Sequence, residues 1–358
     1  MSDLRERLET LAALDAVSGH EQPMVRHLRD VLAPHCDDVE VDATGNLYAT
    51  KRGRSDGPTV MIAAHTDEIG LLVKAIEPDG FLRFEKIGGV LDAVLPARLV
   101  RVQDQLGVIG MKAGHYQSEE ERSRVRPHTQ MYIDVGAESD KEIAERGIEV
   151  GDPVAFVSEV VQLGRDTPLV AGQAIDNRLG CAVLCELLLG DPPPAGTLVA
   201  AFTCQEEVGL KGAGVAGTRI QPDLGLALDT MPSGDTPDMD RTTELNVALG
   251  AGPCLQVMTG PRGKGFLLAE PVKRHLRRVA AEAEVPLHLV TATGAVNDAT
   301  TVAWSGRGVP AAAICLPRRY SHSPLEVADM RDADATLTLL RQLVGGMDEL
   351  PAFGFLDG

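Results

Sequence analysis

Thr59-Val-Met-Ile-Ala-Ala-His65-Thr-Asp67 is an unbroken apolar run that ends abruptly in two polar residues of metal-ligand type. A strand exposed on one face alternates apolar and polar residues; a run apolar throughout predicts a strand buried on both faces, as in a helix-covered sheet. Similar runs occur at 197–203, 224–229 and 311–316. Between them lie helix-like stretches at 4–14, 22–32, 177–189, 270–283 and 333–344, the third closed by Gly190 and Pro192-Pro-Pro. Weaker strand signals fall at 39–42, 47–50 and 287–290.

The texture changes between about Gly70 and Gly164. Short β-like segments at 81–84, 98–102, 107–110, 130–134 and 153–157 are separated by Gly, Pro and Asp, with one helical piece at 140–146. This predicts a small β-barrel module, within which the charge-dense stretch 117–127 reads as a mobile loop. The expected fold is therefore an α/β sheet covered by helices, formed by residues 1–69 and 165–358, with a β-barrel domain of 70–164 inserted. A chain of 358 residues is long enough for two such units.

Charge and cysteine content narrow the function. With 34 basic against 52 acidic side chains the net charge is −18, which argues against nucleic acid or an anionic membrane as partner. No segment has the apolar length of a membrane span, and the first twenty residues lack the apolar core of a secretory leader. The six cysteines form no CxxC pair; Cys181 and Cys185, four apart in an apolar helix, read as core packing. A reducing cytoplasm is the expected location.

The candidate chemistry sits at the ends of the apolar runs. His65 and Asp67 follow one, Glu206 and Glu207 another, Asp229 ends a third, and His322 lies shortly after a fourth. Open α/β sheets build their sites outside the carboxyl ends of their strands. Alone, His-x-Asp is a surface turn, Asp176 an N-cap for the following helix, and His322 a loop histidine. Together, two imidazoles and several carboxylates without a thiolate suit Zn, Mn or Co. A pair of such ions needs a bridging carboxylate and terminal ligands on each side, a set that His65, Asp176, Glu207, Asp229 and His322 can supply. Glu206 and Glu207 repel each other unless a cation intervenes; because neighbours point differently, one can ligate while the other takes a proton from water. Asp67 shares a face with His65 and can orient its ring from behind. His115, His128, His275 and His288 lack such company and read as structural or surface residues, and Asp298 as a ligand-orienting residue or a turn former.

These residues resemble the M42 family of TET-type metallo-aminopeptidases. AAHTDEIGLLV, AIDNRLGC, QEEVGLKGA, ALDT and RRYSHSPLE occur in the family's order and cover most of the chain. The resemblance implies a phosphorylase/hydrolase-like sheet and an inserted dimerisation barrel. It implies two divalent ions per subunit, zinc foremost, with cobalt or manganese as alternatives. His65, Glu207, Asp229 and His322 are the terminal ligands, Asp176 the bridge, Glu206 the general base, and Asp67 the residue that orients His65. It further implies peptide substrates and dimers that assemble into a dodecamer. Arg318, where the family often carries Thr, and Val296-Asn-Asp298, where Gly-Thr-Asp is usual, depart from the pattern; so does the charge of 117–127. These departures bear on substrate preference and assembly. Arg318 and Arg319 beside His322 would favour acidic N-terminal residues. Two other readings are a metal-independent, endoglucanase-like glycosidase, disfavoured by adjacent carboxylates and two histidines, and a non-catalytic scaffold, disfavoured by a complete ligand set.

Overall fold

A computed structural model describes residues 2–356; Met1, Asp357 and Gly358, at the outer ends of the expected α/β unit, lie outside the described residues. An eleven-stranded mixed sheet forms the larger part. At its centre Thr197–Thr203, Thr59–His65, Leu224–Pro232 and Ala311–Arg319 run parallel, in that order. The 59–67 stretch is thus a central strand, and its side chains divide between two cores. Val60, Ile62 and Ala64 pack with the helices Ser2–Ala12, Gln22–Leu32, Ile175–Leu188, Glu270–Glu282 and Met330–Gly345. Met61 and Ala63 pack on the opposite side with Lys211–Ile220 and Ala299–Ala303. Burial on both faces explains why no alternation was visible.

Parallel register has a direct consequence for the site. His65 pairs with Thr203, and Asp229 pairs with Cys315, so the chain leaves all four strands along one edge.

A closed barrel of six strands occupies the segment after Asp67: Gly70–Ile76, Leu82–Ile87, Leu99–Val102, Gln105–Gly110, Tyr132–Asp134 and Pro153–Phe156. It encloses a separate core that includes Leu71, Val73, Phe84, Ile109 and Ile133.

Several elements had no signal in the sequence, among them Gly70–Ile76, Leu169–Gly172, Lys211–Ile220, Cys254–Thr259, Ala299–Ala303 and Glu326–Asp329. The Lys211–Ile220 helix contains three glycines, which lower its intrinsic propensity. Packing overrides this: a Cβ at Gly212 would come within 2.7 Å of the Cys204 backbone nitrogen, so the helix docks against the strand end only without one. The 117–127 stretch holds a helical turn, Glu119–Arg122, with a reciprocal capping box between Ser118 and Glu121. No helix among the described residues is long and apolar enough to cross a membrane, and the six cysteines are free thiols.

Asn46, fully buried, ties these parts together. Its amide donates to Asp42 (2.9 Å) and to the Gly212 carbonyl (3.1 Å), and its oxygen accepts from the Cys204 backbone N–H (3.1 Å). Asn46→Ala would strand buried donors and acceptors on two elements. The expected cost is about 2–4 kcal/mol in urea unfolding; a loss below about 0.5 kcal/mol would show that the amide is not a structural tie.

Candidate active site

His65 ends its strand almost fully buried. Its Nδ1 lies 3.1 Å from the Asp67 backbone carbonyl and 3.6 Å from the Asp67 carboxylate, so the ring is oriented chiefly by main chain. Its Nε2 points into the cleft, 3.3 Å from Asp176 Oδ1 and 3.6 Å from Asp229 Oδ1. The Asp67 carboxylate has a second task. It accepts from Ser18 Oγ (2.6 Å) and from the backbone N–H groups of Glu206 (2.9 Å) and Glu207 (3.1 Å). Gln205, at φ +54°, starts the turn that presents both glutamates. Three elements thus meet on one buried carboxylate.

Asp176 opens the Ile175–Leu188 helix but does not cap it: its backbone is extended (φ −80°, ψ 106°) and its side chain faces the sheet edge. The Asp176–Asn177 peptide is cis. The two carboxylate oxygens face different neighbours. Oδ1 accepts from Thr230 Oγ1 at 2.9 Å and faces His65; Oδ2 pairs with Arg318 and lies 3.6 Å from His322 Nε2. His322, at φ +56°, is held by a backbone N–H bond to Glu326 at 3.0 Å, and its Nε2 lies 3.5 Å from Glu207 Oε2. Gly89, in the turn after a barrel strand, touches the ring, and a Cβ there would collide with Nδ1.

The result is two groups of ligand atoms that share Asp176. His65, Asp176 and Asp229 form one and Asp176, Glu207 and His322 the other; within each, the atoms lie within 4.8 Å of one another. Asp67, Glu206 and Asp298 border the groups. Asp298 accepts from Thr203 Oγ1 at 2.6 Å, while its other oxygen is buried without a partner.

The electrostatics are those of crowded, buried anions. Burial pushes Glu207 up to about 8, helped by Asp176, and Asp298 up to about 7. Burial, then Asp229, Asp298 and Glu207, raise Glu206 well above the carboxylate range against the pull of His65. Asp229 is also raised, chiefly by burial. Asp176 goes the other way: burial pushes it up, but Arg318, His322 and His65 outweigh this. The Asp176 carboxylate beside it lifts His322 to about 9. Protons here stand in for missing positive charge. Oxygen and imidazole donors, an orphaned carboxylate oxygen and surplus negative charge suit divalent cations.

The cleft above has a volume of about 780 Å³, with Leu91, Leu210, Met231, Met239, Leu245 and Val296 on its walls. Arg318 and Arg319 do not offer it a free cation. Arg318 is spent on Asp176, Thr230 and Glu326, and Arg319 bonds Asp235 at 2.6 Å. The preference for acidic residues expected from them loses its basis.

The sequence-predicted residues His65, Asp67, Asp176, Glu206, Glu207, Asp229 and His322 thus meet at one edge of the sheet. Arg318, Glu326, Thr230 and Ser18 belong to the same network and were not assigned to it. A charged residue closing an otherwise apolar strand, as Arg318 does, was the available signal. His128 lies in the barrel against Glu85 (2.8 Å), and His288 bonds the Ala251 carbonyl (2.7 Å).

Comparisons with known proteins point to one family. The sequence model described as M42 glutamyl aminopeptidase matches residues 45–339. The lysyl aminopeptidase of Pyrococcus furiosus is 32% identical over 361 residues, covering 98% of each chain. The structure of an aminopeptidase from Desulfurococcus kamchatkensis superposes with a TM-score of 0.91 at 34% identity, covering 98% of this chain and 96% of that one. The TET1 peptidase of Pyrococcus horikoshii, whose structure is described as assembling into a tetrahedron or a large octahedral shell, gives 0.82 at 28% identity, over 96% of this chain and 99% of that one. The chain belongs to the M42 glutamyl aminopeptidase family and is a peptide-hydrolysing enzyme that uses divalent metal.

Proposed function

We propose that the chain removes N-terminal residues from peptides with two divalent ions, zinc foremost, and cobalt or manganese as alternatives. One would sit on His65, Asp176 and Asp229 and the other on Asp176, Glu207 and His322, with Asp176 as the bridge. The observation that carries this reading is the pair of ligand groups sharing one carboxylate on the wall of the cleft of about 780 Å³. When bound, such ions supply Lewis acidity that polarises the peptide carbonyl and lowers the pKa of water.

The remaining steps belong to protein groups. Glu206 lines the cleft yet contributes to neither ligand group, which suits a base that takes the proton of the attacking water and hands it to the leaving amine. Asp67 serves as a positioning residue, fixing the Glu206–Glu207 turn through two N–H bonds beside His65. A glycosidase has no use for His65 and His322 inside the carboxylate cluster.

The apolar walls and the two neutralised arginines support a preference for apolar N-terminal residues. We further propose that 1–69 and 165–358 form the catalytic domain and 70–164 a dimerisation barrel, with dimers building a dodecamer. Supporting this, Leu99, Leu106 and Val108 share one outward, exposed face of the barrel, Leu99 lying across from Val108. Six free thiols suit a cytoplasmic location.

Chelation of the metal, or Glu206→Gln, should lower kcat on aminoacyl fluorogenic substrates by about a hundredfold to ten-thousandfold with an unchanged circular dichroism spectrum; full activity in either sinks the assignment.

Metal uptake should also release protons at pH 7. In the metal-free chain Glu207, near 8, is then mostly neutral and His322, near 9, mostly charged, and both must lose a proton to ligate. Apparent affinity should therefore weaken as pH falls from about 9 towards 7. Calorimetry in two buffers of different ionisation heat measures this, and zero proton release would contradict it.

On a substrate panel, kcat/KM for leucyl or methionyl derivatives should exceed that for glutamyl by at least about tenfold. Equal or reversed rates would show that the walls do not set the preference.

A further inference from the structure

Arg318 is a fully formed cation buried inside a cluster read above as holding two further cations. Only 3% of its surface is exposed, and all three guanidinium nitrogens are engaged. Nε donates to Thr230 Oγ1, one terminal nitrogen to Glu326 Oε1 at 2.7 Å, and the other to Asp176 Oδ2. The anchor is rigid at its far end too. Glu326 accepts from the backbone N–H groups of Asp176 (2.9 Å) and His322 (3.0 Å), so the carboxylate that anchors the guanidinium is itself fixed in place.

This contact is one-sided. Arg318 touches Oδ2, the oxygen that lies 3.6 Å from His322 Nε2. Oδ1, which lies 3.3 Å from His65 Nε2, receives only the neutral Thr230 hydroxyl. A carboxylate oxygen already shared with a guanidinium is a poorer donor to a second cation, and like charges repel strongly at such separations.

Resting on the two-ion reading, we propose that Arg318 is a positioning residue that makes the two halves of the site unequal. Through Asp176 Oδ2 it weakens the half formed with Glu207 and His322, and it leaves the half formed with His65 and Asp229 nearly untouched. The enzyme then carries one firmly held divalent ion and one exchangeable ion. The exchangeable ion is the one on the side of His322, whose side chain is the more exposed of the two histidines, 35% against 2%.

The test is calorimetric titration of the full-length, metal-depleted chain with Co2+, with cobalt visible absorption followed in parallel. The wild type should show two steps at least about tenfold apart. His322→Ala should abolish the weak step and keep the tight one. Arg318→Met should tighten the weak step by at least about tenfold while moving the tight step by less than about threefold. A purely structural role would instead weaken both. If Arg318→Met does not fold, Arg318→Met combined with Glu326→Gln removes both members of the buried pair and is read in the same way. Two equal wild-type steps, loss of the tight step in His322→Ala, or parallel weakening of both steps on removing Arg318 overturns this inference and leaves the two-ion reading standing. A wild-type chain that takes up no cobalt overturns both.

Discussion

Carboxylates that are buried beside one another repel, and the architecture of this chain follows from how that repulsion is contained. Asp67, Asp176, Glu206, Glu207, Asp229, Asp298 and Glu326 are gathered at the carboxyl ends of four parallel strands. Each costs free energy to remove from water unless protons, donors or cations compensate. The chain supplies some of this itself. Backbone N–H groups at the Glu206–Glu207 turn satisfy Asp67, those of Asp176 and His322 satisfy Glu326, and Arg318 neutralises one of the remaining charges. The deficit that remains, visible in the raised proton affinities of Glu206, Glu207 and Asp229, is what divalent metal fills.

That containment explains the shape of the fold. A parallel sheet clad in helices can bury an acidic edge because its strands are covered on both faces and all end on one side. The barrel starts immediately after Asp67, at Gly70, and its Gly88–Gly89 turn comes back over His322 and Glu207. The barrel therefore helps wall the cluster. Its departure point from the sheet is itself tied down, since Asp67 is locked by Ser18 on one side and by the glutamate turn on the other.

How much of this was legible depended on whether the signal was local. The central strands were readable because an unbroken apolar run such as 59–64 has few other uses. His65, Glu206, Glu207 and Asp229 were readable because each closes such a run. The Lys211–Ile220 helix was not, because its stability comes from docking of Gly212 on Cys204 rather than from the composition of its own residues. Glu326–Asp329 is four residues long and pairs with Leu169–Gly172, more than 150 positions away. The role of Asp176 was half legible. Its helix-initial position was clear, but an extended backbone that turns the side chain inward is a product of the tertiary setting.

Arg318 marks the limit of reading by residue type. In the sequence it is one of two adjacent arginines next to a candidate ligand, and the natural inference assigns both to a substrate carboxylate. In the fold the two diverge because successive residues of a strand point to opposite sides. Arg319 turns outward to Asp235, and Arg318 turns inward to Asp176 and Glu326. A guanidinium so placed cannot recognise substrate without abandoning buried carboxylates, and doing so would leave charge uncompensated at the centre of the site. Any influence it has on the site must pass through the carboxylates it holds rather than through contact with a peptide.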